Sequence, residues 1–212
     1  MITLERANEC MRLLKQLPKS AAYQPVILPV GACVKSGHDR SNVLHIILGK
    51  EPGNSFLDIG CNVGHLCYLA RKAGMRRVEG VEHDEKICEV TRIVGEAWGF
   101  TVRCSTLQDY KPGRFDTVAL LSVLHHRIDD PAGMVEKYAI NTNKRLVLEL
   151  PITHKPGFAS PAELKYSYWR WLFNPDDAAK LLTKLGFKHV EQHPSFDAYH
   201  GKISRRFIIG VR

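Results

Sequence analysis

Phe56-Leu57-Asp58-Ile59-Gly60-Cys61-Asn62-Val63-Gly64 is the stretch that decides the fold. A short apolar run from Ser55 to Ile59 ends in glycine, and a second glycine opens a helical pattern from His65 to Ala73. Gly60 permits a tight turn and lets a ligand press against bare backbone. Gly64 lets the following helix start close to the sheet. In a doubly wound sheet the carboxyl ends of the strands are where ligands bind. A strand, a glycine turn and a helix in this order therefore predict both a parallel sheet and a binding turn. Glycines at a strand end also mark plain turns, so the spacing needs support from the rest of the chain.

That support lies on both sides. Downstream, Arg77–Val81 reads as a second strand, and Asp84 caps a helix to Trp98 with Ile87, Val90, Val94 and Trp98 on one face. Phe100–Cys104 and Phe115–Leu121 are further strands, and Asp130-Pro131 opens a helix to Ile140. Arg145–Leu150 is the fifth strand, and Asn174-Pro175-Asp176-Asp177 caps a helix ending at Gly186. Lys188–Gln192 and Arg205–Val211 complete a set of seven strands. Alternating strands and helices predict a Rossmann-like, mostly parallel seven-stranded α/β sheet with helices on both faces. The last two strands are too close for a helical crossover, so they pair antiparallel. Upstream, residues 4–17 form a helix stopped by Pro18, loops follow through Gly31 and Gly37, and Ser41 caps a short helix ending at Gly49. Two regions are expected: a helical cover over 1–53 and the sheet domain over 54–212.

Glu82, at the end of the second strand, can accept both hydroxyls of a ribose. A dinucleotide enzyme would use a similar acid, but its fingerprint is G-x-G-x-x-G. Here the pattern is D-x-G-x-N-x-G, with Asn62 in place of a middle glycine. Asp58 would repel a pyrophosphate and suits a cationic amino group or sulfonium. The nicotinamide class is disfavoured.

At this point residues 54–150 resemble the class I S-adenosylmethionine-dependent methyltransferases. Asp58-x-Gly60-x-Asn62-x-Gly64 is similar to that family's first motif, and Gly80-Val81-Glu82 to its ribose-binding strand end. Phe115-Asp116-Thr117-Val118 through Ser122-Val123-Leu124-His125-His126 is similar to the block of its fourth strand, and Asn174-Pro175-Asp176-Asp177 through Leu185-Gly186-Phe187 to its penultimate helix and that helix's exit. The resemblance implies S-adenosyl-L-methionine as cofactor, with Asp58, Gly60, Cys61, Asn62 and Gly64 at the methionine end. It places Glu82 and His83 at the ribose and Ser122 at the amino acid moiety. The family's Gly-Asp after the third strand is replaced by Ser105-Thr106-Leu107, so Thr106 and Leu107 are the expected adenine contacts, with Asp109 displaced.

His125 and His126 follow the fourth strand, where a histidine can take a proton from an oxygen or nitrogen acceptor; equally they can be rim histidines packed on a helix. Glu149 can pair with a cationic acceptor or simply end the fifth strand. Tyr23, His38 and Arg40 from the cover, with Tyr166 and Trp169 from the segment 151–173, are the candidate acceptor lining. Aromatics interleaved with Arg170 suit stacking on a planar acceptor or plain surface packing. The block around His125 and the 166–175 segment also resemble tRNA wobble-uridine-modifying methyltransferases. A small-molecule acceptor is expected first, RNA second, and a binding subunit without catalysis third.

Charge fits either partner. The chain of 212 residues carries a net charge of +8, distributed as +4 over 1–50, −1 over 51–150 and +5 over 151–212. Basic flanks favour an anionic partner or simply keep the chain in solution. No run approaches the ~18 apolar residues of a membrane span, and the N-terminus lacks the apolar core of a signal peptide. A cytoplasmic location without membrane contact is expected. The six cysteines form no C-x-x-C and read as reduced, buried thiols. His189 and His193 fall in a strand, roughly 13 Å apart at about 3.3 Å per residue, too far to share a metal.

Overall fold

The structure is a computed structural model. It describes residues 2–18, 21, 23–31, 33–34, 39–126, 130–151, 157–158, 171–172, 174–195 and 205–212. His38, Arg127, Tyr166, Trp169 and most of 151–173 lie outside the described residues. The backbone divides into two compact units, 1–111 and 112–212, and the seven strands of the main sheet divide three and four between them.

In the first unit, helix α1 (Leu4–Gln16) is followed by two-residue strands β1 (Val26–Ile27) and β2 (Cys33–Val34), which pair antiparallel. This small ladder replaces part of the loop expected from sequence. A turn of 3-10 helix at Ser41–Val43 leads into α2 (Leu44–Leu48). Ser41 does not cap it. Asp39 Oδ1 instead accepts from the Ser41 amide at 2.8 Å, and Gly49 ends the helix at φ 68°.

Strand β3 (Ser55–Ile59) enters α3 (His65–Lys72), β4 (Arg77–Glu82) enters α4 (Glu85–Trp98), and β5 (Thr101–Cys104) follows. The three strands are parallel in the order β3-β4-β5, with Asp58 opposite Gly80 and Glu82 opposite Cys104. Phe56, Leu57, Val78, Val81 and Ile93 are buried between sheet and helices. Asp84 starts α4 as its residue type predicts, Oδ1 accepting from the Lys86 and Ile87 amides at 2.9 and 3.1 Å. Asp84→Ala should cost about 1 kcal/mol, lowering the melting temperature by about 2–4 °C in a thermal scan. An unchanged melting temperature would mean the cap is replaced by water.

Cys88, in the first turns of α4, and Cys104, ending β5, are joined by a disulfide with Cα atoms 5.8 Å apart. This corrects the reading of six reduced thiols. Their spacing of 16 residues gives no sequence signal, because the pairing depends on how α4 packs along β5. Cys10, Cys61 and Cys67 are free and buried.

The second unit holds β6 (Phe115–Leu121), α5 (Pro131–Ile140), β7 (Thr142–Pro151), the short pair β8 (Gly157–Phe158) and β9 (Trp171–Leu172), α6 (Pro175–Lys184), β10 (His189–Pro194) and β11 (Arg205–Val211). The strand order is β10-β11-β7-β6. β6 and β7 are parallel, whereas β11 lies between β7 and β10 and runs antiparallel to both. One reversed strand in a parallel set is the arrangement expected from the short connections. Asp130 and Asn174 cap α5 and α6, each with proline at the helix start.

Among the described residues, no helix is long and apolar enough to cross a membrane. No group of three or more His, Cys, Asp or Glu among them could hold a metal ion.

Candidate functional site

In the first unit the deciding stretch builds a tight turn around two buried acids. Gly60, Asn62 and Gly64 all have left-handed backbone, at φ 77°, 51° and 80°. Gly64 is constrained twice, since a Cβ there would stand 2.8 Å from Phe100 Cζ and 3.0 Å from Thr91 Cγ2. The packing partner of this glycine is thus the region around α4, not only the sheet. At Gly80 a Cβ would meet Cys61 Sγ at 2.7 Å, so the smallest residue on β4 makes room for the turn's own thiol.

Glu82 is the anchor. Its Oε2 accepts from the Asn62 amide at 3.0 Å. Its Oε1 accepts from the His83 and Asp84 amides at 2.8 and 3.1 Å, and from His83 Nδ1 at 2.9 Å. Burial works against the charge, but the donors from His83 and Asp84 outweigh it and hold the carboxyl below its ordinary range. An ionised acceptor thus stands at the end of β4.

Asp58 is different. It is buried at the end of β3, and burial pushes its carboxyl up to about 7, with Glu82 adding to the rise and Arg40 opposing it. A cationic ligand group would stabilise the charge that burial penalises. Arg40, from the N-terminal segment, is buried and acts electrostatically on Asp58.

Asn62 links this turn to the N-terminal segment: Nδ2 donates to the Ala21 carbonyl at 2.6 Å, and its own carbonyl accepts from Thr91 Oγ1 at 2.6 Å. Asn62 Oδ1 is buried and accepts no hydrogen bond from any described residue. His65 Nε2 pairs with Asp39 Oδ1 at 3.0 Å. Asp39 and Thr91 had no motif to announce them. A cap-type acid before a helix and a threonine on the buried face of α4 were the only traces.

The remaining expected cofactor contacts are arranged less tightly. Thr106 is exposed and Leu107 half-buried. Thr106 Oγ1 donates to Asp109 Oδ2 at 2.7 Å and accepts from the Asp109 amide at 3.1 Å, a closed local turn. Tyr23 is 38% exposed.

In the second unit a buried polar cluster forms where β6, β7 and β11 end or begin. Ser122 has φ 58°, an uncommon backbone for serine. Its hydroxyl donates to Glu149 Oε2 and accepts from Arg205 Nη1. Ser195 Oγ donates to Glu149 Oε1. The Arg205 guanidinium lies 4.0 Å from the Glu149 carboxylate, which has no solvent exposure. The cation that faces Glu149 is thus one of the chain's own. The signal lay in the register: Arg205 pairs with Pro151, two residues from Glu149 and on its face.

His125 and His126 sit ring against ring at 4.1 Å. His125 is fully buried, and burial, His126 and Arg205 together hold its pKa well below the ordinary imidazole value. It is neutral near pH 7. His126 is exposed.

Residues 38–192 match the methyltransferase-domain family. Among curated proteins, the ribosomal protein L11 methyltransferase of Desulforapulum autotrophicum is 33% identical over 101 residues, covering 43% of this chain and 33% of that protein. The tRNA U34 carboxymethyltransferase of Cellvibrio japonicus is 29% identical over 143 residues, covering 62% of this chain and 44% of that protein. The chain spans less than half the length of either relative. Among solved structures, the N-terminal domain of EvdMO1, crystallised in the presence of S-adenosylhomocysteine and D-fucose, aligns with a TM-score of 0.71 at 17% identity, covering 99% of this chain and 97% of that one.

Proposed function

The chain belongs to the methyltransferase-domain family, and from that we propose that it binds S-adenosylmethionine and methylates an oxygen or nitrogen of a small molecule. The observation that carries the reading is the pair of buried acids, Asp58 and Glu82, at neighbouring strand ends around the Gly60–Gly64 turn. The residues fit the cofactor. Glu82 offers an ionised acceptor for ribose hydroxyls, Asp58 a latent charge for the amino group, and Asn62 Oδ1 a buried acceptor for one further donor. Gly60, Cys61 and Gly64 give the turn its close backbone. The His83 backbone, with Thr106 and Leu107, is assigned to the nucleoside, and Ser122 to the amino acid end.

When bound, S-adenosylmethionine supplies a methyl group already activated by its sulfonium. The protein contributes orientation and exclusion of water. His126, exposed, is assigned the proton leaving the acceptor; neutral, buried His125 packs against it. Glu149 is assigned a supporting part, holding Ser122 through its hydroxyl. Tyr23 and Arg40, with Tyr166 and Trp169, are assigned to the acceptor side. Residues 1–53 then cover the pocket in the first unit, as the Asn62–Ala21 and His65–Asp39 bonds suggest.

The full-length likeness to a domain crystallised with S-adenosylhomocysteine and a sugar supports a small acceptor. An RNA acceptor is the second reading, favoured by the tRNA-modifying relative and the basic flanks. A subunit that binds the cofactor without turning it over is the third.

Calorimetric titration with S-adenosylmethionine and S-adenosylhomocysteine, with NAD as control, tests the class. Micromolar binding of the two sulfur nucleosides alone is the expected result, and binding of NAD alone would sink the reading. Labelled methyl transfer then separates metabolites from RNA. Glu82→Gln, which keeps the shape but removes the charge, should weaken S-adenosylhomocysteine binding by about tenfold, the worth of one charge-assisted hydrogen bond. Unchanged affinity would remove Glu82 from the ribose site.

A further inference from the structure

One oxygen of Glu82, Oε1, is already full. An ionised carboxylate has about four acceptor positions. The Asn62, His83 and Asp84 amides and the His83 ring supply four donors, three of them on Oε1. A ribose cis-diol brings two more O–H groups. Oε2, with one donor, has room for one hydroxyl. The other must find a place on Oε1. The three amides are fixed by the turn and by the start of α4, so none of them can leave. The His83 ring can, because its side chain is 75% exposed.

We propose that the His83 imidazole stands in the place of a ribose hydroxyl at Glu82, and that cofactor binding displaces it with release of a proton. This rests on the S-adenosyl reading of the pocket. The charged groups acting on the ring are Glu82, at the end of β4, and Asp84, the cap of α4. The hydrogen bond to Glu82, more than the opposing burial, raises the imidazole pKa above its ordinary value. Once displaced into solvent, the ring returns toward that ordinary value and gives up its proton. The sign follows by linkage. Acid pH keeps the ring protonated and clamped on Glu82, so the cofactor binds more weakly there. Affinity rises as pH passes upward through the window between the ordinary and the raised value, then levels. Asp58 would release a proton in the same direction as it meets the ligand's cationic end, so the His83 share has to be isolated by substitution.

The probe is S-adenosylhomocysteine, titrated into wild type and His83→Ala at about pH 6 and about pH 8.5, in buffers of differing ionisation enthalpy to count protons. Wild type should release protons and bind several-fold more tightly at the higher pH. His83→Ala should release fewer, and should bind several-fold more tightly than wild type at the lower pH while matching it at the higher. Nuclear magnetic resonance titration of the His83 ring should show its raised pKa falling toward the ordinary value in the complex. Weaker binding by His83→Ala at both pH values would mean that the ring holds the cofactor, and equal proton release by the two proteins would leave Asp58 as the sole source; either result overturns the proposal. No binding by either protein at any pH would remove the cofactor assignment itself, and this inference with it.

Discussion

At pH 8 the Asp58→Asn protein should melt well above the wild type, while losing cofactor affinity. Asp58 is buried, and its carboxyl titrates at about 7 in the folded chain against about 3.9 in an unfolded one. A raised carboxyl favours the protonated form in the folded state. Its stabilising share is therefore complete below about pH 4 and is lost as pH rises toward 7. Above that window the wild type folds with a charge that burial penalises and Arg40 only partly offsets. Asparagine has the shape of the neutral acid and carries no such burden. The gain should be about 2–4 kcal/mol at pH 8, shrinking toward zero near pH 4. Urea melts at the two pH values give the difference directly. The cofactor should read the same change with opposite sign, because a sulfonium or ammonium would have repaid the charge. Affinity for S-adenosylmethionine should fall by at least about tenfold, one charge-assisted hydrogen bond. A variant equally destabilised at both pH values would show that Asp58 is a satisfied anion in the unliganded chain.

Asp58 and Glu82 were legible because local patterns fix them. A strand end, a glycine turn and a helix start occupy nine consecutive residues, and the next strand end supplies the second acid. Asp84, Asp130 and Asn174 were legible for the same reason, since a cap acts within three residues of itself. What the sequence did not disclose depends on register and on packing over distance. β7 begins at Thr142 rather than Arg145, because a polar Thr-Asn-Lys start pairs with Phe115 across a bulge. β1 and β2 are two residues each, too short for a period of two to appear. Cys88 and Cys104 meet because α4 packs along β5. Ser41 does not cap because it is itself the first residue of the 3-10 turn, its own amide donating to Asp39 two residues earlier. The crowding of Glu82 by its neighbour His83 was equally hidden: adjacent letters say nothing of which way a ring turns.

Glu149→Ala should unfold at a temperature lower by about 10 °C, because it leaves the half of an ion pair that cannot reach water. The Arg205 side chain is only 10% exposed and Glu149 is not exposed at all. Removing one partner of a buried pair costs about 3–5 kcal/mol. Ser122 and Ser195 would lose their shared acceptor as well. Arg205→Met should be similarly costly, and the double variant should be less destabilised than the sum by about 1–3 kcal/mol, the coupling of a contacting pair. Additive costs would mean that the two charges do not meet in solution. Glu149→Gln separates support from chemistry. The amide keeps an acceptor for one serine and the volume of the acid, so the loss should be about 1–3 kcal/mol. If Glu149 acts only by holding Ser122 in its left-handed backbone, the Gln variant should bind S-adenosylhomocysteine more weakly yet turn over at saturation like the wild type. A collapse of turnover with affinity intact would instead place the carboxylate on the acceptor, facing the group that loses the proton.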